Sequence, residues 1–299
     1  MINKIDIKYR VTLIIPAYQE ENGIEATLSE IIKLKDKGFI DEIIIVDDGS
    51  KDKTKEIVAS YDDIKLIRHK KNKGYGASLK TGINNSSNDI ICITDCDGTY
   101  PSDQIPILIE KLIKNDLDMI VGARTGKIVK IPLIRKPAKW FIGKLANWVS
   151  GNNIPDINSG LRLFKKKSFI PFHGIVPNGF SFTTTITLGM ISGGYKIDFH
   201  PIEYGKRIGK SKIRPFRDTL NFIMLILRIG LYFSPLKIFL PISFALLSSS
   251  IIWGLYSKYI IGQLADLSVL IIAMTGFHIL AISLIAELIN NRLPNKYNK

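Results

Sequence analysis

Hydrophobic and polar positions follow two regimes along the 299 residues. Over the first two hundred, short unbroken apolar runs alternate with helical patterns. The runs are VTLIIPAY (Val11–Tyr18), EIIIVDD (Glu42–Asp48), IKLIRH (Ile64–His69), DIICITD (Asp89–Asp95) and DMIVGAR (Asp118–Arg124). Helices are predicted from Glu21 to about Lys37, from about Lys53 to Tyr61, from Gly76 to about Asn84 and from about Asp103 to Lys114. Strands that are apolar throughout and alternate with helices predict an α/β fold, its largely parallel sheet covered on both faces. Ligands of such sheets gather beyond the carboxyl ends of the strands. Three of those ends are polar, at Pro16–Glu20, Asp47–Asp48 and Asp95–Asp97, so they are expected to converge on one acidic site.

The second regime begins near residue 215. Residues 238–257 (IFLPISFALLSSSIIWGLYS) are twenty uncharged positions, and 267–286 (LSVLIIAMTGFHILAISLIA) are another twenty in which His278 is the sole ionisable group. Each is long enough to cross a hydrocarbon core of about 30 Å. Two buried core helices would satisfy the same pattern, but a soluble core rarely needs two such stretches side by side. Pro241 falls near the start of the first span, where a helix tolerates it. Residues 215–235 are apolar but broken by Arg217, Asp218 and Arg228, and read as an interfacial helix. Residues 127–150 mix Lys and Arg with Ile, Leu, Trp140, Phe141 and Trp148, which suits either a headgroup layer or an ordinary surface helix pair.

Charge sharpens this division. Residues 1–118 carry 17 basic and 21 acidic side chains, residues 119–217 carry 18 and 3, and residues 218–299 carry 6 and 3. The middle third thus holds the chain's excess positive charge, which suits nucleic acid, an anionic bilayer or a phosphate ligand. The adjoining spans favour the bilayer and count against nucleic acid. The connecting loop has Lys258 and Asp266, whereas the tail 290–299 has Arg292, Lys296 and Lys299 and no acid, so both ends of the hairpin are expected in the cytosol. The start, MINKIDIKYR, has no apolar signal region. Two cysteines and four scattered histidines exclude a disulfide framework and give no zinc-ligand spacing.

Asp95 and Asp97 follow a buried strand and flank Cys96. Two carboxylates so placed suit a hard divalent cation, with diphosphate oxygens and water completing its shell. A lone Asp-x-Asp also occurs as a turn or helix cap, so its company decides. Asp48 is placed to accept from a ribose or base edge, unless it serves as an N-cap. Tyr18 and Glu20, at the exit of the first strand, are suited to stacking on a base and accepting its N–H groups. Two other motifs fail. In NKGYGASLKTG (Asn72–Gly82), Leu79 stands where a dinucleotide fingerprint needs its third glycine, and no GxxxxGK[ST] loop occurs.

Taken together, PAYQE, VDDGS, NKGYGASLKTG, DCDG, VGAR, DINSGLR and RIGKSK stand in the order seen in family 2 glycosyltransferases. The chain most resembles the polyprenol-phosphate sugar synthases of the dolichol-phosphate mannose synthase type, over roughly residues 11–215. The resemblance implies a GT-A-type, Rossmann-like sheet. It implies a nucleotide-sugar pocket at Pro16, Tyr18, Glu20, Asp48, Asp95 and Cys96. It implies Mg2+ or Mn2+ at Asp95 and Asp97, with Thr99 where the family often has Gln or Ser. It implies lipid-phosphate contacts at Arg124, Arg207 and Lys212. Lys139 and Gly143 stand where the family has a further Arg and Ser, and Lys206 replaces an Asp. Asp156, Ser159 and Arg162 match the acceptor-side stretch, with Asp156 expected as a base or as the residue that orients Arg162.

The implied activity is inverting transfer of a sugar, as in GDP-mannose or a UDP-hexose, to a polyprenyl or dolichyl monophosphate at the cytosolic membrane face. The alternatives are transfer to a glycerolipid or polysaccharide, or a non-catalytic membrane protein that binds nucleotide sugar or lipid phosphate. The expected partners are donor, lipid acceptor and bilayer; a homo-oligomer stays open. Expected organisation is a catalytic domain at 1–214 with interfacial helices at 127–150, an interfacial helix at 215–235, two transmembrane helices within 236–289 and a basic tail at 290–299.

Overall fold

The computed structural model describes residues 9–125, 143–148, 151–205, 223–224, 226–228, 230–231, 234–263 and 265–292. At its centre is a seven-stranded sheet of order β3-β2-β1-β4-β6-β5-β7. The strands are β1 (Val11–Ala17), β2 (Glu42–Asp47), β3 (Lys65–Arg68), β4 (Ile90–Ile93), β5 (Met119–Ala123), β6 (Arg162–Lys165) and β7 (Ile197–Pro201). All neighbours pair in parallel except β6, which runs antiparallel between β4 and β5. The five expected strands are present, each one or two residues shorter at its ends. Two more, β6 and β7, join them. RLFK is only four residues long and begins with a charge, and IDFHP is half-exposed and polar at alternate positions, so neither reads as an apolar run.

Helices α1 (Ile24–Asp36), α2 (Thr54–Ala59), α3 (Tyr75–Asn84), α4 (Ile105–Lys114) and α5 (Phe182–Ser192) cover the sheet. Alternate residues of β1 supply both cores. Leu13, Ile15 and Ala17 pack with Ile24 and Leu28 of α1 and Leu108 and Leu112 of α4. Ile14 packs on the other face, with Leu79 and Ile83 of α3 and Phe182 and Ile186 of α5. Two-sided burial is the reason β1 and β2 are apolar at nearly every position. Each fully buried aliphatic side chain stabilises by roughly 1.5–3 kcal/mol relative to exposure. The edge strand β3 departs from this, with Lys65 and Arg68 exposed.

Beyond the sheet, α6 (Pro235–Tyr256) and α7 (Asp266–Arg292) form an antiparallel hairpin. At ~1.5 Å per residue, even α6 is about 33 Å long. The hairpin is not a soluble core, because its apolar side chains point outward: Phe244, Ile251, Ile252, Leu267, Leu270 and Phe277 are all exposed. Its seam is polar and small. Ser243 Oγ donates to the Gly276 carbonyl and Ser250 Oγ to the Val269 carbonyl, each at 2.9 Å. Such hydrogen bonds and close-packed small residues join helices where lipid removes any hydrophobic drive between them. Of the expected interfacial segments, residues 143–148 are helical, and Ala146 and Ile226 pack with Ile154, Ile157 and Leu188. The remainder of 127–150, and most of 215–235, lie outside the described residues.

Candidate active site

The chain leaves β1 and β4 side by side and builds the site from their ends. Pro16 is buried within β1, and Tyr18 and Glu20 are half-buried just beyond it. Their backbone is held by the turn after β2. Gln19, at φ 53°, donates its N–H to Ser50 Oγ, and Glu20 donates to Thr54 Oγ1, both at 2.9 Å. Past β4, the Cys96 thiol points inward and donates to the Pro16 carbonyl at 3.5 Å. Burial pushes this thiol well up, and the nearby carboxylates of Glu20, Asp95 and Asp97 add to the shift. Cys96 is therefore a protonated packing group, and the same three carboxylates mark where the ends of β1 and β4 converge.

Asp97 is buried, and its Oδ1 accepts from the N–H and hydroxyl of Thr99. Asp95 is half-exposed, and its Oδ1 accepts from Tyr75 Oη at 3.2 Å. Burial pushes the Tyr75 phenol up, and the charge of Asp95 pushes it further, so Tyr75 stays a neutral donor. Gly160 lies against Asp95, where a Cβ would stand 2.8 Å from Oδ2; its missing side chain keeps that carboxylate clear. Among the described residues, no three His, Cys, Asp or Glu side chains form a metal cage. Asp95, Asp97 and the Thr99 hydroxyl are an all-oxygen set that fits a hard divalent cation whose ligands are completed by a bound substrate.

Three expectations change on contact with the structure. Asp48, expected at a ribose or base edge, is buried and braces a turn. Its Oδ1 accepts from Lys73 N and its Oδ2 from Gly74 N, each at 2.8 Å, and His69 Nδ1 lies 2.7 Å from Oδ1. Asp156, expected as a base or as the residue that orients Arg162, grips Arg124 while its charge also acts on Arg162. Nε and Nη2 of Arg124 donate to its two oxygens at 2.7 and 2.9 Å, and the Arg124 N–H adds a third bond at 3.0 Å. Ser159 and Arg162, expected at the lipid phosphate, are fully buried. Ser159 Oγ donates to the Gly122 carbonyl, while Arg162 donates to the carbonyls of Ser159 and Thr183 and to Thr187 Oγ1. With their donors turned inward, neither reaches a headgroup. Burial pulls the Arg162 guanidinium down to about 10, with the charge of Asp156 opposing it, so it remains a cation at neutral pH.

Sequence reasoning missed the aromatic frame of the site. Tyr100 Oη accepts from Gly160 N at 2.6 Å, Tyr100 meets Tyr204 edge to face, and the Arg124 guanidinium sits 5.3 Å from the Tyr204 ring centre. Gly205 N–H donates to the Thr99 carbonyl at 2.9 Å, which ties the chain after β7 to the acidic loop. An aromatic three residues past an Asp-x-Asp pair carries no distinctive spacing, and its partner lies about a hundred residues away. Lys139, Arg207 and Lys212 lie outside the described residues.

Comparison with known proteins follows from this geometry. The family described as Glycosyl transferase family 2 matches residues 12–171, and the family described as GtrB C-terminal hairpin matches residues 234–291. A dolichyl-phosphate hexose transferase of Haloferax volcanii is 27% identical over 207 residues, covering 69% of this chain and 87% of that protein. A dolichol-phosphate mannosyltransferase of Pyrococcus furiosus is 32% identical over 220 residues, covering 69% of this chain and 59% of that one. Among solved structures, glucosyl-3-phosphoglycerate synthase from Mycobacterium tuberculosis, in complex with Mn2+, UDP-glucose and phosphoglyceric acid, superimposes with a TM-score of 0.59 at 18% identity. That match covers 75% of this chain and 80% of the other, and it shows a shared fold.

Proposed function

The chain belongs to glycosyl transferase family 2 and is a glycosyltransferase, and from that premise we propose that it moves a hexose from a nucleotide-sugar donor to a polyprenyl or dolichyl monophosphate. The observation that carries the reading is one chain with two parts. Paired carboxylates follow β4, Arg124 at the end of β5 is clamped by Asp156, and an outward-apolar hairpin follows them. A donor site soluble in water is thereby joined to a device for lying against lipid. The relatives named for transfer to dolichyl phosphate support the acceptor class.

The chemistry follows from the substrates. The second pKa of a phosphate monoester is near ~6, so the acceptor oxygen is largely ionised at pH 7 and needs no base. It attacks the anomeric carbon, the bond from that carbon to the diphosphate oxygen breaks, and the nucleoside diphosphate leaves with inverted configuration at the sugar. Asp95, Asp97 and Thr99 would hold Mg2+ or Mn2+, which when bound offsets charge on the leaving diphosphate. Asp156 is a positioning residue in this scheme. A carboxylate that accepts four hydrogen bonds, three of them from Arg124 and one from the Asn158 N–H, is a firm brace. It fixes Arg124 for the acceptor phosphate. Tyr18 and Glu20 would meet the nucleoside, and the charges of Arg207 and Lys212 would help to offset repulsion between two anionic substrates. The catalytic residues up to 214 would work at the cytosolic face, with interfacial segments against the headgroups and both termini on that side.

The test is transfer by the purified protein from a panel of labelled nucleotide sugars to polyprenyl phosphate, with Mg2+ or Mn2+. Label entering the organic phase with one donor is the expected result. Label remaining in water with every donor overturns the reading.

A further inference from the structure

The glycine-rich stretch Asn72–Gly82 fits no phosphate loop, and the structure shows what its glycines do. Gly74 has φ 102°, and a Cβ on it would lie 2.5 Å from the Asn178 carbonyl oxygen. A Cβ on Gly76 would lie 2.2 Å from the Pro177 carbonyl oxygen. Both absences let the 177–179 loop settle backbone to backbone on the start of α3. Ala77 N–H donates to the Asn178 carbonyl at 3.0 Å, and Lys80 Nζ to Asn178 Oδ1 at 3.1 Å. The loop is thus pinned at Asn178 by two hydrogen bonds. Phe180, two residues along, stacks on Tyr75 with ring centres 5.7 Å apart and planes 19° apart. Tyr75 is the residue whose hydroxyl bonds Asp95.

Phe180 is therefore a large apolar ring, 53% exposed, on a fixed mount one side chain away from the acidic pair. Exposing an aromatic face costs hydrophobic stabilisation, and here the surrounding glycines and hydrogen bonds hold the ring where it is. We propose that Phe180 is a specificity-determining residue whose face receives the hexose ring of the donor. A pyranose presents a face of C–H bonds, and an aromatic ring offers those hydrogens its negative face. The Tyr75–Asp95 bond sets the ring's place relative to the diphosphate end of the donor. Tyr75 is then a positioning residue for both. This inference rests on the nucleotide-sugar reading above.

The test measures binding to the full-length protein in detergent with Mn2+. UDP-glucose is compared with UDP, and GDP-mannose with GDP, for the native chain, Phe180→Ala, Phe180→Leu and Phe180→Trp. The ring's contribution is the advantage of the nucleotide sugar over its free diphosphate. F180A and F180L are expected to lose about tenfold of nucleotide-sugar affinity, with free UDP and GDP binding unchanged, and F180W to restore it. Leucine keeps an apolar surface without a ring, so a native F180L would overturn the stacking role. Equal losses for sugar nucleotide and free diphosphate, or no loss for either, would also overturn it. So would a rise confined to the KM for polyprenyl phosphate, which would give the ring to the lipid. If the native protein bound neither donor nor diphosphate, the nucleotide-sugar reading itself would fall, and this inference with it.

Discussion

At the scale of single residues, the proposed reaction gives the acidic loop and Arg124 separate tasks. Asp97 is buried and its Oδ1 satisfies the Thr99 N–H and hydroxyl, so an asparagine, which keeps an acceptor there, separates the charge proposed to hold a cation from the support of the turn. Asp97→Asn is expected to lower transfer by on the order of 10²-fold, with a thermal unfolding curve close to native and unchanged membrane extraction. Full activity in that variant would remove Asp97 from the metal site. Asp156→Asn keeps the shape but loses the charge that clamps Arg124. Its expected effect is a loss of about tenfold or more in kcat/KM for the lipid, with donor affinity retained, since a hydrogen bond to a charged group is worth ~1.5–3 kcal/mol. An equal loss on both substrates would make Asp156 a general structural brace. The placement of Asp95 and Asp97 was legible because it is local: two carboxylates on one short turn at the end of an apolar strand. The pairing of Asp156 with Arg124 was not, because it joins residues 32 apart and only the fold decides which cation a carboxylate meets. Arg162 shows the same limit, since an arginine spent on buried carbonyls has no signature that separates it from one aimed at phosphate.

Elements place these residues, and their junctions are the points to probe. Glu42 opens β2 and ties three segments together: it accepts from Thr12 Oγ1 at 2.7 Å, from Ser87 N at 2.8 Å and from Ser87 Oγ at 3.2 Å. Burial alone would raise its pKa, but these hydrogen bonds and the Lys65 charge outweigh burial and lower it. A carboxylate held below its unfolded value near ~4.3 stabilises the fold above that pH, and this contribution disappears as pH falls through the lowered value. Glu42→Gln should therefore lower the unfolding midpoint of the catalytic part at pH 7 and narrow its gap from the native chain at pH 3.5. A gap of constant size would show that the charge of Glu42 has no part. The central strands were readable because burial on both faces leaves an unbroken apolar run. The additions at β6 and β7 were not, because strands this short and this polar draw their stability from neighbours that are distant in sequence. The glycines of Asn72–Gly82 were likewise visible while their purpose was hidden, since the loop they admit lies a hundred residues on.

For the whole molecule, charge and hydropathy describe a protein with two solvents. The sheet carries an acidic site, the middle third of the chain has 18 basic residues to 3 acidic, and the hairpin turns its apolar side chains outward. Such an arrangement suits a reaction whose substrates come from opposite sides of the headgroup layer, one dissolved and one embedded. The hairpin was the most legible part of all, because a span is defined by length and composition without any tertiary contact. Its seam of Ser243, Ser250 and Gly276 needed the structure. The direct measurement is the 31P spectrum of polyprenyl phosphate in vesicles that hold the protein, followed as the matching nucleotide sugar and Mg2+ or Mn2+ are added. The account predicts that the phosphomonoester signal gives way to a phosphodiester signal, one nucleoside diphosphate being released per lipid converted, and that chelating the cation stops the change. A monoester signal that persists while the donor is consumed or left intact would contradict it.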